Sequence, residues 1–272
     1  MASLQPGDGY GGDGFHRFPT VSVDGAPRPA TIIFLHGLGD TAAGWADLIS
    51  LLSSLPCFPS LRVILPTAPV RPVTLNGGFP APAWTDIFSL SKDTPEDREG
   101  FLESKRRIDA ILRGEIEDAH IPPERIVLAG FSQGGALAYF VGLQAPYRLG
   151  GIVALSTWTP LAQELRASDA CLGKKDKEGQ GQTTAEGETQ ETQGPRGPTP
   201  VLHCHGEQDE LVLFEFGEES AALVKQQYAA ACGEEVAKEA VKFRPFRGLG
   251  HSANPQELAE VRLFVESVLK PQ

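Results

Sequence analysis

Ser132 has the sequence context of a serine nucleophile. It lies in GFSQG, which matches the pattern G-x-S-x-G of a strained turn between a strand and a helix. A short apolar run at 126–129 precedes it, and small residues follow it. Glycine on either side of the serine permits a tight turn and a close approach of the helix. The pattern predicts a reactive hydroxyl; the alternative interpretation is a glycine-rich turn with an idle serine.

Two further residues complete the set needed to activate that hydroxyl. Asp209 lies in HGEQD after a predicted strand at 201–205, and His251 lies in GLGH after a predicted strand at 241–246. The order Ser, Asp, His is the order found in α/β-hydrolases. We expect His251 to take the proton from Ser132, and Asp209 to hold the imidazole in the correct tautomer.

Other acids and histidines compete for these roles. Glu207 is a rival to Asp209 on sequence alone, although the spacing H-G-x-x-D favours Asp209. His203 and His205 point to the same side of a strand, which would suit a metal ion, but no third ligand is evident. We therefore predict no metal and no cofactor. His36 belongs to a turn and is interpreted as a structural hydrogen-bonding group.

An early glycine-rich turn, HGLGD at 36–40, predicts one half of an oxyanion hole. Main-chain N–H groups stabilise a developing negative charge best where small residues let the backbone approach it. We expect the N–H groups of Leu38 and Gln133 to serve this purpose. The same turn also reads as an ordinary βα turn, with Asp40 or Thr41 capping the next helix, and both interpretations can hold together.

Strands alternate with helices along the chain. Apolar or alternating runs predict strands at 20–23, 30–35, 61–65, 126–129, 151–155, 201–205 and 241–246, and helices at 43–54, 97–120 and 216–231, after Ser132 and from Asn254 onward. This alternation predicts an α/β fold with a mostly parallel sheet and helices on both faces. The three candidate residues then lie at carboxyl ends of strands.

A long segment at 66–87 contains five prolines and is predicted to be an irregular loop. Loops of this length often form lids or binding walls. Leu75, Phe79 and Trp84 give the segment an apolar character and make it a candidate wall of a binding site; local packing on the body of the domain is the alternative.

Composition divides the chain into a tail, one domain and an insertion. Residues 1–17 are polar and glycine-rich and are predicted to be a disordered tail, before a single domain at 18–272. Between 173 and 199 the only apolar residue is Ala185, so this segment cannot bury enough surface to offset its ordering entropy. We interpret it as a disordered insertion. An inert surface loop is favoured over a segment at the mouth of the site.

Charge and targeting signals exclude several classes of protein. With 24 basic and 35 acidic residues the net charge is −11, which argues against binding nucleic acid or docking electrostatically on anionic membranes. Four widely spaced cysteines predict neither a disulfide framework nor a zinc site. The amino terminus has no apolar signal core, and no apolar run is long enough for a transmembrane segment. We expect a cytoplasmic protein.

Six motifs together resemble one family. HGLGD, PTAP followed by PVTLN, GFSQGG, ALSTWTP, HGEQDELV and GLGH, spread over residues 31–269, resemble the acyl-protein thioesterase and lysophospholipase family of α/β-hydrolases. The resemblance implies the α/β-hydrolase fold, with Ser132 as nucleophile, Asp209 as acid and His251 as base. It also implies that Leu38 and Gln133 form the oxyanion hole.

The resemblance further implies a binding site for an acyl chain. Val73, Thr74 and Leu75 match a lid over a hydrophobic channel, and Trp84 and Trp158 match aromatic positions near it. Three features depart from the family pattern: the glycines and prolines of NGGFPAPAW, the insertion, and the lack of any cysteine before Cys57.

The implied activity is hydrolysis of palmitoyl or other long-chain thioesters on protein cysteines through an acyl-enzyme. The implied partners are S-acylated proteins or lysophospholipid and ester substrates, with transient membrane contact. A broad carboxylesterase or lysophospholipase that uses the same residues is the alternative. A non-catalytic α/β-hydrolase receptor is less favoured, because such proteins usually lack one of the three residues.

Overall fold

A seven-stranded sheet forms the centre of the protein. The structure is a computed structural model that describes residues 15–17, 30–46, 61–92, 94–173 and 197–269. The strands are β1 (Phe15–Arg17), β2 (Ala30–Leu35), β3 (Leu61–Pro66), β4 (Val70–Val73), β5 (Phe79–Pro82), β6 (Ile126–Phe131), β7 (Gly151–Leu155), β8 (Val201–Gly206) and β9 (Val241–Phe246). The main sheet has the order β1-β3-β2-β6-β7-β8-β9, and β4 and β5 form a separate two-stranded sheet. Only β1 runs antiparallel to its neighbour in the main sheet.

Helices cover both faces of this sheet. They are α1 (Arg98–Arg113), α2 (Gln133–Leu143), α3 (Phe214–Cys232), α4 (Glu234–Ala240) and α5 (Pro255–Val268). Alternate residues of a strand point to opposite faces. Ile33 and Leu128 therefore pack in one core with α1 to α4, whereas their neighbours Ile32 and Val127 pack in a second core with α5. Burial on both faces explains why the inner strands are continuous apolar runs.

The predicted strands from residue 30 onward are confirmed to within two residues. The helices predicted after Ser132, at 216–231 and from Asn254 onward are confirmed as well. The helix predicted at 97–120 ends as an α-helix at Arg113 and continues as one π-helical turn, Gly114–Asp118. At the helix predicted at 43–54, Ala42–Trp45 form a 3₁₀ turn and Ala46 is α-helical. Residues 47–54 and the strand predicted at 20–23 lie outside the described residues, so these parts remain predictions.

Three elements differ from the expectations. Phe15–Arg17, assigned above to the tail, pair with β3, because an edge strand needs only backbone groups and leaves little sequence signal. The segment at 66–87 is not wholly irregular, since β4 and β5 form a hairpin in which Pro72 lies opposite Pro80. Prolines are tolerated there because both strands are edges. Helix α4 was also missed, because it is only two turns long.

The two ends of the predicted insertion meet at one place. The N–H of Thr199 donates to the carbonyl of Cys171 at 2.7 Å, and β8 begins two residues later. The insertion is therefore rooted at the amino-terminal end of β8, whereas Asp209 follows its carboxyl end. Residues 174–196 lie outside the described residues, so the predicted disorder remains a prediction.

No helix within the described ranges is long and apolar enough to cross a membrane. Cys171, Cys204 and Cys232 are free thiols, and the first two are buried. Cys57 lies outside the described residues.

Candidate active site

Ser132 occupies the turn between β6 and α2 in a strained conformation. Its φ of 53° and ψ of −122° lie outside the regions that non-glycine residues favour. Two hydrogen bonds hold it there: its N–H donates to Leu155 O at 2.8 Å, and Thr157 Oγ1 donates to its carbonyl at 2.6 Å. The strain is thus maintained by β7 and the segment that follows it.

Close backbone contacts explain the glycines on either side. A Cβ atom added to Gly130 would lie closer than 3.0 Å to the backbone of Gly134, and one added to Gly134 would lie as close to the carbonyls of Leu35 and His36. The first contact is with the first turn of α2 and the second is with the end of β2 and the turn after it, so neither backbone can move without displacing an element of the core. The predicted role of the glycines in a tight elbow is confirmed.

The structure brings Ser132, His251 and Asp209 into one chain of hydrogen bonds. His251 Nε2 lies 3.0 Å from Ser132 Oγ, and His251 Nδ1 lies 2.8 Å from Asp209 Oδ2. A carboxylate only accepts, so Nδ1 carries the proton and the lone pair of Nε2 faces the serine hydroxyl. This arrangement can remove a proton from Ser132 as its oxygen attacks a carbonyl carbon.

The environment of Asp209 keeps it ionised. Burial alone would raise its pKa, but hydrogen bonds from His205 and His251 and from the N–H of Val212 lower the pKa below its usual range. The N–H of Leu211 also donates to Oδ1, at 3.0 Å. Glu207, the rival acid, is exposed, and it is Asp209 that contacts His251.

Two main-chain donors near Ser132 are available for a ligand. Gln133 is the first residue of α2, where N–H groups have no acceptor inside the helix. Within the described part of the chain, neither the N–H of Gln133 nor that of Leu38 has a hydrogen-bond partner. The neighbouring N–H of Gly39, in contrast, donates to Pro82 O at 2.8 Å and so fixes the turn.

A cavity of about 710 Å³ lies beside this site and is lined by residues that are bonded to, or adjacent in sequence to, the site residues. Three of its lining residues have a direct link: Thr85 bonds to the side chain of Gln133, Trp158 follows Thr157, and Val212 bonds to Asp209. Its apolar lining residues include Ile87, Phe88, Leu90, Phe101, Trp158, Leu161, Leu211, Phe216 and Leu223. Its walls come from the loop at 85–98, the segment at 158–164 and the first half of α3.

Comparison with known proteins decides the family. Residues 16–178 match the phospholipase/carboxylesterase family. The chain belongs to the phospholipase/carboxylesterase family. This membership makes it a hydrolase and confirms the predicted α/β-hydrolase fold.

Individual members of the phospholipase/carboxylesterase family are similar over almost the whole chain. Acyl-protein thioesterase 1 of Mycosarcoma maydis is 35% identical over 256 residues, which cover 91% of this chain and 95% of that protein. Acyl-protein thioesterase 1 of Gibberella zeae is 36% identical, with 93% and 97% covered. The crystal structure of Zea mays acyl-protein thioesterase 2 is 29% identical with a TM-score of 0.68, and covers 94% of this chain and 99% of that one.

Within this phospholipase/carboxylesterase fold, the six residues predicted to bind an acyl chain occupy different environments. Trp158 lines the cavity, whereas Val73 is buried, and Thr74, Leu75 and Phe79 lie on the exposed hairpin outside it. An acyl-binding role for those four residues remains a prediction. Most of the apolar lining comes from residues that carried no signal in the sequence.

Trp84 connects neighbouring segments through three hydrogen bonds and does not line the cavity. Its indole Nε1–H donates to His36 O and its backbone N–H to Gln133 Oε1, both at 2.8 Å, and its carbonyl accepts from Ser104 Oγ. The Gln133 amide also donates to Thr85 O at 2.8 Å. The side chain of Gln133 had no signal in the sequence, and it connects the cavity wall at Thr85 to the turn that carries Ser132.

Three other histidines, His36, His203 and His205, have structural partners. His36 Nε2 accepts from the N–H of Ala68 at 2.9 Å and Nδ1 donates to Gly37 O, and burial lowers the pKa of His36. His203 and His205 bond to each other, Nε2 to Nδ1, at 3.2 Å. Among the residues that the structure describes, no group of three His, Cys, Asp or Glu side chains is arranged to hold a metal ion.

Proposed function

We propose that this protein is a serine hydrolase that removes long-chain acyl groups, such as palmitoyl, from protein cysteines. Ser132 is the nucleophile, His251 the base and Asp209 the acid that orients it. The observation that carries the proposal is the hydrogen-bonded chain from Ser132 Oγ through His251 to Asp209 Oδ2, at 3.0 and 2.8 Å. The choice of substrate is supported by the relatives named acyl-protein thioesterase 1.

Acylation begins when Ser132 Oγ attacks the carbonyl carbon of the thioester while His251 Nε2 takes its proton. The carbonyl π-electrons move to oxygen, and the N–H groups of Leu38 and Gln133 stabilise that charge. In other hydrolases the loss of one such donor raises the barrier by about 3 kcal/mol. The oxyanion then collapses, the C–S bond breaks, and the thiolate leaves and receives the proton from His251.

Deacylation repeats these steps with water as the nucleophile. His251 takes a proton from water, the hydroxide oxygen attacks the ester carbonyl, and the C–O bond to Ser132 breaks with return of the proton to Oγ. A thiol with a pKa near ~8.5 leaves with little help from an acid, whereas an alkoxide needs the proton of His251 much more. The site is therefore well suited to thioesters.

The cavity supplies space for the acyl chain. Leu211 and Phe216, which follow Asp209 in the sequence, line the cavity. Trp158 also lines it, and it follows Thr157, which donates a hydrogen bond to the carbonyl of Ser132. Its volume of about 710 Å³ lies in the range of pockets that enclose small ligands. An acyl group whose carbonyl lies at Ser132 would extend from the elbow into this space.

Access to acylated proteins at a membrane would involve the exposed hairpin. Val70 and Phe79 on β4 and β5 are 68% and 76% exposed, so apolar side chains project from an otherwise acidic protein. These side chains suit brief contact with a lipid surface. We therefore propose a protein that acts in the cytoplasm and meets membranes transiently.

A second candidate function is a broad carboxylesterase or lysophospholipase that uses the same three residues. The family match, whose description names phospholipases and carboxylesterases, favours it. Turnover of a palmitoyl-cysteine peptide, lysophosphatidylcholine and a short-chain nitrophenyl ester separates the candidates. The proposed function requires the highest kcat/KM on the peptide, and a higher value on either ester would favour the second candidate.

Labelling with a fluorophosphonate tests the nucleophile directly. We expect covalent labelling of the wild type, and loss of both labelling and hydrolysis in Ser132→Ala. Ser267→Ala, which removes an exposed hydroxyl on α5, serves as the control and should behave as wild type. Failure of the wild type to label at Ser132 would favour a non-catalytic receptor.

A further inference from the structure

Asp209 has a second imidazole neighbour besides His251. His205, in β8, is fully buried, and its Nε2 lies 3.4 Å from Asp209 Oδ2, the same oxygen that accepts from His251 Nδ1. The same Nε2 lies 2.8 Å from the carbonyl of Val212. Nothing in the reaction described above uses His205.

The contacts of His205 determine its tautomer. A backbone carbonyl can only accept, so the Nε2 that contacts Val212 O must carry the proton. In a neutral ring Nδ1 is then an acceptor, and the group that faces it, His203 Nε2 at 3.2 Å, must be the donor. The proton on Nε2 is therefore available to Asp209 as well.

The chain of hydrogen bonds continues one step further into the core. If His203 donates through Nε2, its Nδ1 accepts, and the hydroxyl of Tyr139 lies 3.0 Å from that atom. The chain thus runs in one direction, from Tyr139 through His203 and His205 to Val212 O and Asp209. Burial and the adjacent ring of His205 lower the pKa of His203 well below its ordinary value, so this ring is neutral.

Helix α3 is shaped to leave room for this pair of rings. A Cβ added to Gly217 would lie closer than 3.0 Å to His205 Nδ1 and 3.1 Å from His203 Nε2. Glycine is among the least favourable residues in a helix interior. Its presence at the point where α3 crosses the two histidines keeps their hydrogen bond free of steric conflict.

We propose that His205 is a positioning residue for Asp209, and that His203 fixes the tautomer in which His205 can act. His251 Nδ1–H donates to Oδ2, His205 Nε2 lies 3.4 Å from the same oxygen, and two backbone N–H groups donate to Oδ1, so the carboxylate is held facing His251. This inference rests on the proposed function, because it assigns a role within the same site.

A matched pair of substitutions tests the role of His203. Glutamine carries both an N–H donor and an acceptor oxygen, whereas leucine has a similar size and neither group. We expect His203→Leu to lower kcat roughly tenfold, with KM changed less than twofold, because it loosens the partner of the base without touching the acyl cavity. His203→Gln should keep kcat within roughly threefold of the wild type.

Phe243→Leu provides a control for damage to the surrounding core. The Phe243 ring lies 5.3 Å from that of His203 and packs beside it without being part of the chain of hydrogen bonds. The substitution Phe243→Leu should lower the melting temperature but leave kcat unchanged. Equal kcat values for the leucine and glutamine variants of His203, or an equal loss of kcat in Phe243→Leu, would overturn the inference.

A measurement on the wild type does not depend on any variant folding. Nitrogen-15 chemical shifts of labelled histidine distinguish the two neutral tautomers, and the inference requires the Nε2–H form for His205. Finding the Nδ1–H form would overturn it. Because this readout needs no substrate, it is independent of the proposed function, which fails instead if wild-type Ser132 does not react with a fluorophosphonate.

Discussion

The two regions on either side of Ser132 are held together by different forces. One region, which we call the reaction side, contains Asp209 and His251. The side chain of Asp209 is inaccessible to solvent and that of His251 is 15% exposed. On the cavity side, one buried hydrogen bond, from the N–H of Thr159 to Ser220 Oγ, joins two walls, and further links are ion pairs at the surface: Lys92 with Glu219, 60% and 56% exposed, and Arg98 with Glu164. Buried polar contacts are costly to break, whereas exposed pairs contribute little. The arrangement of Ser132, His251 and Asp209 is therefore fixed more firmly than the shape of the cavity.

The largest effect should come from the buried acid. Asp209→Asn keeps the size of the side chain but cannot hold His251 in its Nδ1–H tautomer, and we expect kcat to fall about 10⁴-fold. Glu207→Gln is the matched control, since Glu207 is exposed two residues earlier. Turnover of a palmitoyl-cysteine peptide measures both. A large loss in Glu207→Gln would contradict the assignment of the acid.

A second buried carboxyl on the reaction side should make stability depend on pH. Glu257 is fully buried, and this burial, although opposed by the backbone N–H of Asn254, raises its pKa to about 8. The nearby charge of Asp209 acts in the same direction. Because the folded state binds the proton more tightly, its contribution to stability is complete below the ordinary pKa of 4.5 and is lost as pH rises to about 8.

Glu257→Gln should remove this dependence. Each pKa unit corresponds to about 1.4 kcal/mol, so we expect the variant to gain a few kcal/mol over wild type between pH 5 and pH 9. Urea unfolding at pH 5, 7 and 9 measures the difference in free energy of unfolding. Glu260→Gln, on the same helix but partly exposed, should follow the wild type. A constant difference between Glu257→Gln and wild type across this pH range would contradict the prediction.

Local signals explain what the sequence could predict on the reaction side. Apolar runs mark the inner strands, and the turns after them place Ser132, Asp209 and His251 at one edge of the sheet. Asn254, where the last helix was predicted to begin, caps α5, because its Oδ1 accepts from the N–H of Glu257 at 2.8 Å. The burial of the carboxyl group of Glu257 results from tertiary packing and has no local signal in the sequence.

The cavity side carried much less signal. Its walls come from three segments separated by about 50 residues or more, and the contacts that join them have no local periodicity. Trp158 was singled out, but its partner Glu96 was not, because 62 residues separate the two atoms that bond. The hairpin was hidden for another reason: its prolines and glycines are typical of irregular loops.

Glu96 is the residue through which the shape of the cavity can be changed. One carboxyl oxygen accepts from Trp158 Nε1 at 2.6 Å and the other from the N–H of Leu161 at 2.5 Å. Glu96→Gln keeps one acceptor and replaces the other by a donor, so one wall residue is released. Hydrogen bonds to charged groups contribute about 1.5–3 kcal/mol, and we expect KM for a palmitoyl thioester to rise roughly tenfold.

Chain length provides the internal control for Glu96→Gln. A short-chain ester makes fewer contacts with the cavity wall than a long chain does, so its KM should stay within about twofold of wild type. Glu99→Gln, at an 84% exposed position of α1, controls for the loss of a charge. Equal changes in KM for short and long chains would show that Glu96 acts on the reaction side. The two regions could then not be distinguished by this substitution.

The smallest effect should come from the exposed pair across the cavity. Lys92 Nζ donates to both carboxyl oxygens of Glu219, at 2.6 and 2.5 Å, and so links the loop at 85–98 to α3. Exposed pairs typically contribute ~0–1 kcal/mol, so the coupling in a Lys92→Met and Glu219→Gln double-mutant cycle should change long-chain KM by less than about fivefold. Salt should weaken this coupling, because a Debye length of about 3 Å at 1 M screens exposed charges. A coupling that is larger and unaffected by salt would mean that the pair is shielded from solvent, and that the cavity wall is as firmly fixed as the reaction side.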